Sequence, residues 1–169
     1  MRLLAIGGSL RQGSYNNALL EAAVAEVRCA GDVEVVVWCG LGGIPAYSGD
    51  LEAVPAAVAE LRAEVAAADA VLIATPEYNG SVPGALKNAL DWASKPFPAN
   101  AFRTKPVAVL GASPGLFGAV WAQADLRRIL DAIGARVDER DLPSRARTRR
   151  SPTTGGCATR SLRRACAPS

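Results

Sequence analysis

Two segments group residue types closely enough to do chemistry: GGSLRQGSYNNALL at 7–20 and TPEYNGSVPGALKNALDWAS at 75–94. In the first, Gly7 and Gly8 end an apolar run, and Ser9, Arg11, Ser14 and Asn16 crowd hydroxyls, an amide and a guanidinium around a helix start. That combination suits a phosphate. Backbone N–H groups and the positive end of a helix dipole face an anion, the side chains add donors, and one arginine adds countercharge. A glycine pair alone would mark any tight strand-to-helix turn. Ser14 or Asn16 would also serve as a helix cap, a role that does not exclude phosphate contact. In the second segment Pro76, Glu77, Tyr78, Asn79 and Gly80 form a loop suited to something flat. The bland alternative there is a solvated acid at Glu77 and a surface aromatic at Tyr78. Asn88, Asp91 and Trp92 fall on the helix that follows and read as packing or subunit contacts, while Trp38 and Trp121 read as core or interface residues.

Both segments join an expected strand to an expected helix, the place where an open α/β sheet binds ligands. The order along the chain is strand, helix, strand, helix, which predicts a parallel sheet with helices on both faces. Strands are expected at 3–6, 33–38, 70–74, 107–110 and about 136–140. Helices are expected at 17–30, from Pro55 to about 67, at 84–94 and at about 119–133. Apolar residues at helical spacing (Leu20, Val24 and Val27; Leu86, Leu90 and Ala93) supply the inner faces, with Gly31 as a stop and Pro55 in a first turn. Gly-rich stretches at 39–49 and 111–118 and a proline-containing stretch at 95–105 are connections, and no internal repeat is present.

Composition narrows the chemistry. The 169 residues suffice for one domain with a sizeable core. The chain has no histidine, and its four cysteines show no CxxC spacing, so zinc or haem sites and hydrolase triads built on an imidazole base are not expected. No run of about 18 apolar residues occurs, and residues 1–10 lack the features of a secretory signal, so a soluble cytoplasmic protein with no membrane partner is expected. The formal charge of +3 sits in the C-terminal stretch. Residues 144–169 hold seven arginines and no acid, leaving 12 basic against 16 acidic residues in 1–143, a net of −4. A mildly acidic body without a basic stripe argues against nucleic acid as a partner.

The motifs, in order, resemble the NADPH-dependent FMN reductases, a family of flavodoxin-like fold that includes bacterial quinone, chromate and azo-dye reductases. The family form GSxRxxSxN appears as Gly8, Ser9, Arg11, Ser14 and Asn16. The form PEYNxSxPxxLKNxxDW appears as Pro76, Glu77, Tyr78, Asn79, Ser81, Pro83, Leu86, Lys87, Asn88, Asp91 and Trp92, and a third glycine-rich loop spans 113–118. Trp121 departs from relatives that carry arginine there. The resemblance covers about 1–143. It implies a flavodoxin-like α/β/α sandwich around a five-stranded parallel sheet. It further implies FMN as cofactor, held at Ser9, Arg11, Ser14, Tyr15, Asn16, Pro76, Glu77, Tyr78, Asn79, Gly80 and Ser113. No catalytic side chain and no metal are implied, because the hydride chemistry belongs to the flavin and NADPH or NADH is a transient donor. The implied activity is NAD(P)H oxidation with ping-pong reduction of quinones or similar acceptors such as azo dyes, chromate or free flavin, in a homodimer or homotetramer. The alternative is a non-catalytic FMN-binding electron shuttle or scaffold; shuttles are usually strongly acidic and aromatic-flanked, unlike a body with 5% aromatic residues.

Residues 144–169 break the preceding pattern. A doubly wound five-stranded domain needs a helix after its fifth strand to cover one sheet face beside the first helix, yet Leu162 is the only large aliphatic residue in this stretch. GC-rich codons can be chosen for 148–162 that, read one base earlier, give HEAFADDGRLRDPE, an acidic turn leading into a helix start similar to the family's C-terminal segment. The expectation is a reductase domain at 1–143 followed by a basic irregular tail at 144–169, in which a frameshift near Pro143, in the gene or in its reading, replaced the closing helix.

Overall fold

The computed structural model describes residues 1–115 and 117–138, together with the backbone of 143–145. The elements run β1 (Arg2–Gly7), α1 (Tyr15–Ala30), β2 (Glu34–Trp38), α2 (Ala56–Ala67), β3 (Ala70–Thr75), α3 (Gly84–Ala93), β4 (Pro106–Ser113), α4 (Val120–Ala132), β5 (Arg136–Val137) and β6 (Pro143–Arg145). All strand pairs are parallel in the order β2-β1-β3-β4-β5, the flavodoxin-like order. Both β5 and β6 pair with β4, at Pro106–Val107 and at Gly111–Ser113 respectively. Because Gly111 also pairs with Thr75 of β3, β6 must lie on the other side of β4, in the lane that β5 begins.

Alternation along the central strands sorts the core into two layers. Leu4, Ile6, Val71, Ile73, Val107 and Val109 point to one face and pack with Leu61 and Val65 of α2, Leu86 and Leu90 of α3, and Leu126 and Leu130 of α4. Leu3, Ala5, Leu72, Ala74 and Leu110 point to the other and meet Leu20 and Val24 of α1. Among the described residues α1 is the helix on that second face, and Val35, Val37 and Ala108 beside it stay partly exposed. The closing helix and the frameshift concern residues beyond 145, which lie outside the described residues, although Ser144 and Arg145 themselves pair within the sheet.

The expected elements all form, with shifted ends. The largest shift is β4, which continues through Gly111 to Ser113 where a loop was expected. Gly111 belongs in that strand because a Cβ there would stand 2.8 Å from the Gln123 side chain on α4. The fifth strand, expected over 136–140, is regular at Arg136–Val137, and 139–140 lie outside the described residues. Trp38 is buried as expected, but Trp121 is 52% exposed and so does not belong to the core.

Candidate active site at the carboxyl edge of the sheet

The carboxyl ends of β1, β3 and β4 lie side by side, so the loops that leave them form one surface. The first loop turns sharply at Gly8, whose N–H donates to the Ala74 carbonyl at 2.7 Å. A Cβ on Gly8 would stand 2.9 Å from that carbonyl oxygen and from Leu86 Cδ2, so a side chain there would push the loop off β3. Ser14 caps α1: its backbone is extended and its hydroxyl accepts from the Asn16 N–H at 3.2 Å. Ser9 is buried, and its hydroxyl accepts from the Arg11 N–H at 3.3 Å. The Arg11 guanidinium stands over the Tyr15 ring, 5.7 Å from its centroid, and both side chains are exposed. The guanidinium also donates to the Gly13 carbonyl at 3.4 Å, so a cation stands near the start of α1, whose first-turn N–H groups lack partners within the helix.

Asn16 has a different role from its loop neighbours. Its side chain is buried and reaches across to β4, where Nδ2 donates to the Ala112 carbonyl at 2.9 Å and Oδ1 accepts from the Ala112 N–H at 2.7 Å. The amide thus takes the place of a neighbouring strand at the end of β4, binding the first loop to the third. Ser113, next in β4, holds the turn that follows by accepting from the Gly115 N–H at 3.1 Å.

The second loop is a miniature hairpin. Tyr78 and Ser81 exchange backbone hydrogen bonds at 3.0 and 3.1 Å, and the two residues between them, Asn79 and Gly80, both have positive φ, 53° and 75°. Asn-Gly is the pair that favours this left-handed two-residue turn. Tyr78 projects at the rim, 49% exposed. Glu77 is not a solvated acid. Its Oε2 accepts from the N–H groups of Trp121 and Ala122 at 3.0 and 3.1 Å, at the start of α4. Ser81 donates its hydroxyl hydrogen to Asp125 on the same helix, and Arg128 bonds the other oxygen of that carboxylate at 2.6 Å. The Ser81 hydrogen bond and then Arg128 hold the Asp125 carboxyl below the usual carboxylate range.

The helix residues of the second motif fasten a further loop. Asn88 Nδ2 and Trp92 Nε1 both donate to the Pro45 carbonyl, at 2.8 and 2.9 Å, and Asn88 Oδ1 accepts from the Tyr47 N–H at 2.8 Å. Tyr47 packs edge-on against Trp92. Asp91 pairs with Lys87 one helical turn away. These contacts are within the chain and hold the 39–49 connection beside α3. On the α4 side, Phe117 and Trp121 meet edge-on with centroids 4.9 Å apart, both more than half exposed. A cleft of about 770 Å³ also opens behind the first loop, between Ser9, Asn17, Leu20, Val24, Val37 and Trp38. Arg11, Ser14 and Tyr15 also line it and none of 76–81 does, so it joins the first loop at the carboxyl edge to the partly covered α1 face.

Of the eleven residues expected at the site, Ser9, Arg11, Ser14, Tyr15 and Asn16 come together in the first loop, Pro76, Glu77, Tyr78, Asn79 and Gly80 in the second, and Ser113 at the end of β4. Ala112 and Asp125 were not foreseen, nor was the contact of the motif residue Ser81 with Asp125: Ala112 acts through its backbone, and Ser81 and Asp125 are 44 residues apart. A sequence model described as NADPH-dependent FMN reductase matches residues 1–142. The chain is 48% identical over 132 residues to an NAD(P)H-dependent FMN reductase of Pseudomonas aeruginosa, covering 77% of this chain and 69% of that one. It is 38% identical over 140 residues to a quinone reductase of Escherichia coli, covering 81% and 73%. Among solved structures, the flavoenzyme FerB, an NAD(P)H:(acceptor) oxidoreductase from Paracoccus denitrificans, aligns with a TM-score of 0.74 at 38% identity, over 85% of this chain and 77% of that one.

Proposed function

This chain belongs to the NADPH-dependent FMN reductase family, and from that premise we propose that it reduces quinones with electrons from NAD(P)H on an FMN held by the three loops at the carboxyl edge. The observation that carries the placement is the junction of the loops: Asn16 fastens the first to β4, and Glu77 fastens the second to α4. The residues present fit FMN. The FMN phosphate is assigned to Ser9, Arg11, Ser14 and Tyr15 at the start of α1, with Asn16 setting the loop through Ala112. Its flat ring is assigned to the backbone of Pro76, Glu77, Tyr78, Asn79 and Gly80, with Ser113 on the β4 side. Gly8 permits the close approach of the first loop to β3 on which this arrangement depends.

When bound at these loops, FMN would supply the redox chemistry linking NAD(P)H oxidation to reduction of an acceptor, in the ping-pong order proposed here. The side chains then need only bind and orient, consistent with a site that has no histidine. Arg11 balances phosphate charge; the Asn79-Gly80 turn presents backbone N–H groups at a fixed height; Tyr78 shields one margin from water. Such a site discriminates weakly among flat or small oxidants, so azo dyes, chromate and free flavin join quinones as proposed acceptors. The exposed Phe117 and Trp121 pair supports a homodimer or homotetramer. No helix among the described residues is long and apolar enough to cross a membrane, and dependence on a nicotinamide donor supports a cytoplasmic setting. We also propose a reductase domain at 1–143 followed by a basic stretch at 144–169, whose first two residues, Ser144 and Arg145, still pair in the sheet.

Titration of apo-protein with FMN, followed by flavin fluorescence, tests the assignment. Saturation at one FMN per chain, weakened in Arg11→Ala, is the expected result; unchanged affinity in that variant, or preference for FAD, contradicts it.

A further inference from the structure

The helix α4 begins without a cap of its own. Its N-cap residue is Ala119, which has no side-chain acceptor and sits in the left-handed region at φ 64°. The N–H groups that a capping side chain ordinarily satisfies are those two and three residues further on, here Trp121 and Ala122, and both donate to Glu77 Oε2 from the second loop. The cap is therefore supplied from 44 residues away. At the far end of the same hairpin the direction reverses: Asp125, one turn along α4, receives the Ser81 hydroxyl. The residues between Glu77 and Ser81 are the turn itself.

We propose that Glu77 and Asp125 are paired positioning residues, two carboxylates that latch the 77–81 hairpin onto α4 at both of its ends, so that the hairpin and the first turns of α4 form one cradle set before FMN binds. This rests on the assignment of FMN to the carboxyl edge. The chemistry favours a latch over direct contact with the ligand. Glu77 Oε2 already takes two N–H donors at the positive end of a helix dipole, where a carboxylate is stabilised. Turned toward the phosphate or the electron-rich side of a flavin, the same charge would repel. Arg128 and, more remotely, Lys87 are the cations around Asp125, and both favour its ionised form as acceptor for Ser81. Asp125 therefore stays a committed acceptor throughout the neutral range. Preordering matters because a loop that is fixed only on binding subtracts its ordering cost from affinity.

The experiment is amide hydrogen exchange at Trp121 and Ala122 in apo-protein, paired with the FMN dissociation constant, for wild type, Glu77→Ala, Glu77→Gln, Ser81→Ala and the Glu77→Ala/Ser81→Ala double variant. The latch predicts that Glu77→Ala speeds exchange at these two amides by about tenfold, the scale of a lost helix cap, and raises the FMN dissociation constant several-fold. Glu77→Gln, which keeps an acceptor oxygen, recovers most of both. Because either latch partly holds the hairpin, the double variant should weaken FMN binding by more than the product of the single effects. Ser81→Ala, a half-buried hydroxyl, reports on the second latch even if a Glu77 variant folds poorly. Unchanged exchange in Glu77→Ala overturns the proposal, as does weakened FMN binding with wild-type exchange, which would mean that Glu77 meets the ligand directly. Failure of wild type to bind FMN would overturn the site assignment alone, since the exchange rates still decide whether the latch exists.

Discussion

Asn16 and Ala112 exchange both of their hydrogen bonds, Nδ2 to carbonyl at 2.9 Å and N–H to Oδ1 at 2.7 Å, across 96 residues of sequence. A side-chain amide has the same donor and acceptor pair as a peptide group and continues the pairing of β4 beyond Gly111, where β3 has ended. The first residue turn of α1 and the last turn of β4 are thereby fixed with respect to each other, and the two loops proposed to flank FMN share one anchor.

Replacing Asn16 with alanine or leucine leaves the Ala112 N–H and C=O buried and unpaired. The expected cost is about 2 to 4 kcal/mol of folding stability, read as a lower urea midpoint, together with weaker FMN binding. Asn16→Asp should fall between, since it keeps the acceptor for the Ala112 N–H and sets a charge against the carbonyl. Wild-type stability in Asn16→Ala would mean that the pair contributes nothing.

Arg11→Ala should behave in the opposite way. Arg11 is exposed and its ring contact is with an exposed tyrosine, so folding stability should change by less than about 0.5 kcal/mol. FMN affinity should fall by about 1.5 to 3 kcal/mol, the range for a hydrogen bond to a charged group. Paired urea and fluorescence titrations separate the two effects.

Gly80 has φ 75°, and no atom crowds the position where a Cβ would stand. Gly80→Val is therefore a test of backbone conformation alone. A cost of about 1 to 2 kcal/mol is expected for forcing a side chain into the left-handed region, appearing chiefly as loss of FMN affinity if the hairpin distorts. Gly80→Asn, which tolerates that region, should cost less.

The Asp125 carboxyl is held below its ordinary range by Ser81 and then Arg128. A depressed value in the folded state means stability that is present above the ordinary aspartate range and is lost as pH falls through the folded value. Asp125→Asn should accordingly be less stable than wild type by about 1 kcal/mol near pH 7, and the gap should close below about pH 4. Urea unfolding at several pH values measures this, and a gap that widens in acid would reverse the assigned sign.

For 144–169 the proposal is a frameshift near Pro143 that removed the helix expected to cover the α1 face. Sequencing the gene across codons 140–169 should reveal the alternative frame, and a continuous in-frame read with no such frame would refute it.

Much of the fold was legible because each element carried its own pattern: continuous apolar runs such as Leu3 to Ile6 for strands buried on both faces, and Leu86, Leu90 and Ala93 for a helix face. Element ends were less legible. Gly111 looks like a loop residue until Gln123 is seen packed against it. At the site, residue types identified the loops, but they did not divide ligand contacts from internal fastenings. Asn16 and Glu77 belong to motifs read as cofactor-binding, yet their side chains hold backbone groups of β4 and α4, partners that no sequence spacing announces. Trp121 shows the converse: a residue type that favours the interior, placed by the first turn of α4 on the outside.

Quinone reduction by this protein is tested by steady-state oxidation of NADPH and NADH by FMN-loaded protein with menadione as acceptor. Turnover that depends on FMN and on acceptor is expected, with parallel initial-rate lines when both substrates are varied. Absence of oxidation of either nucleotide by fully FMN-loaded protein would contradict it and leave an electron shuttle or a scaffold.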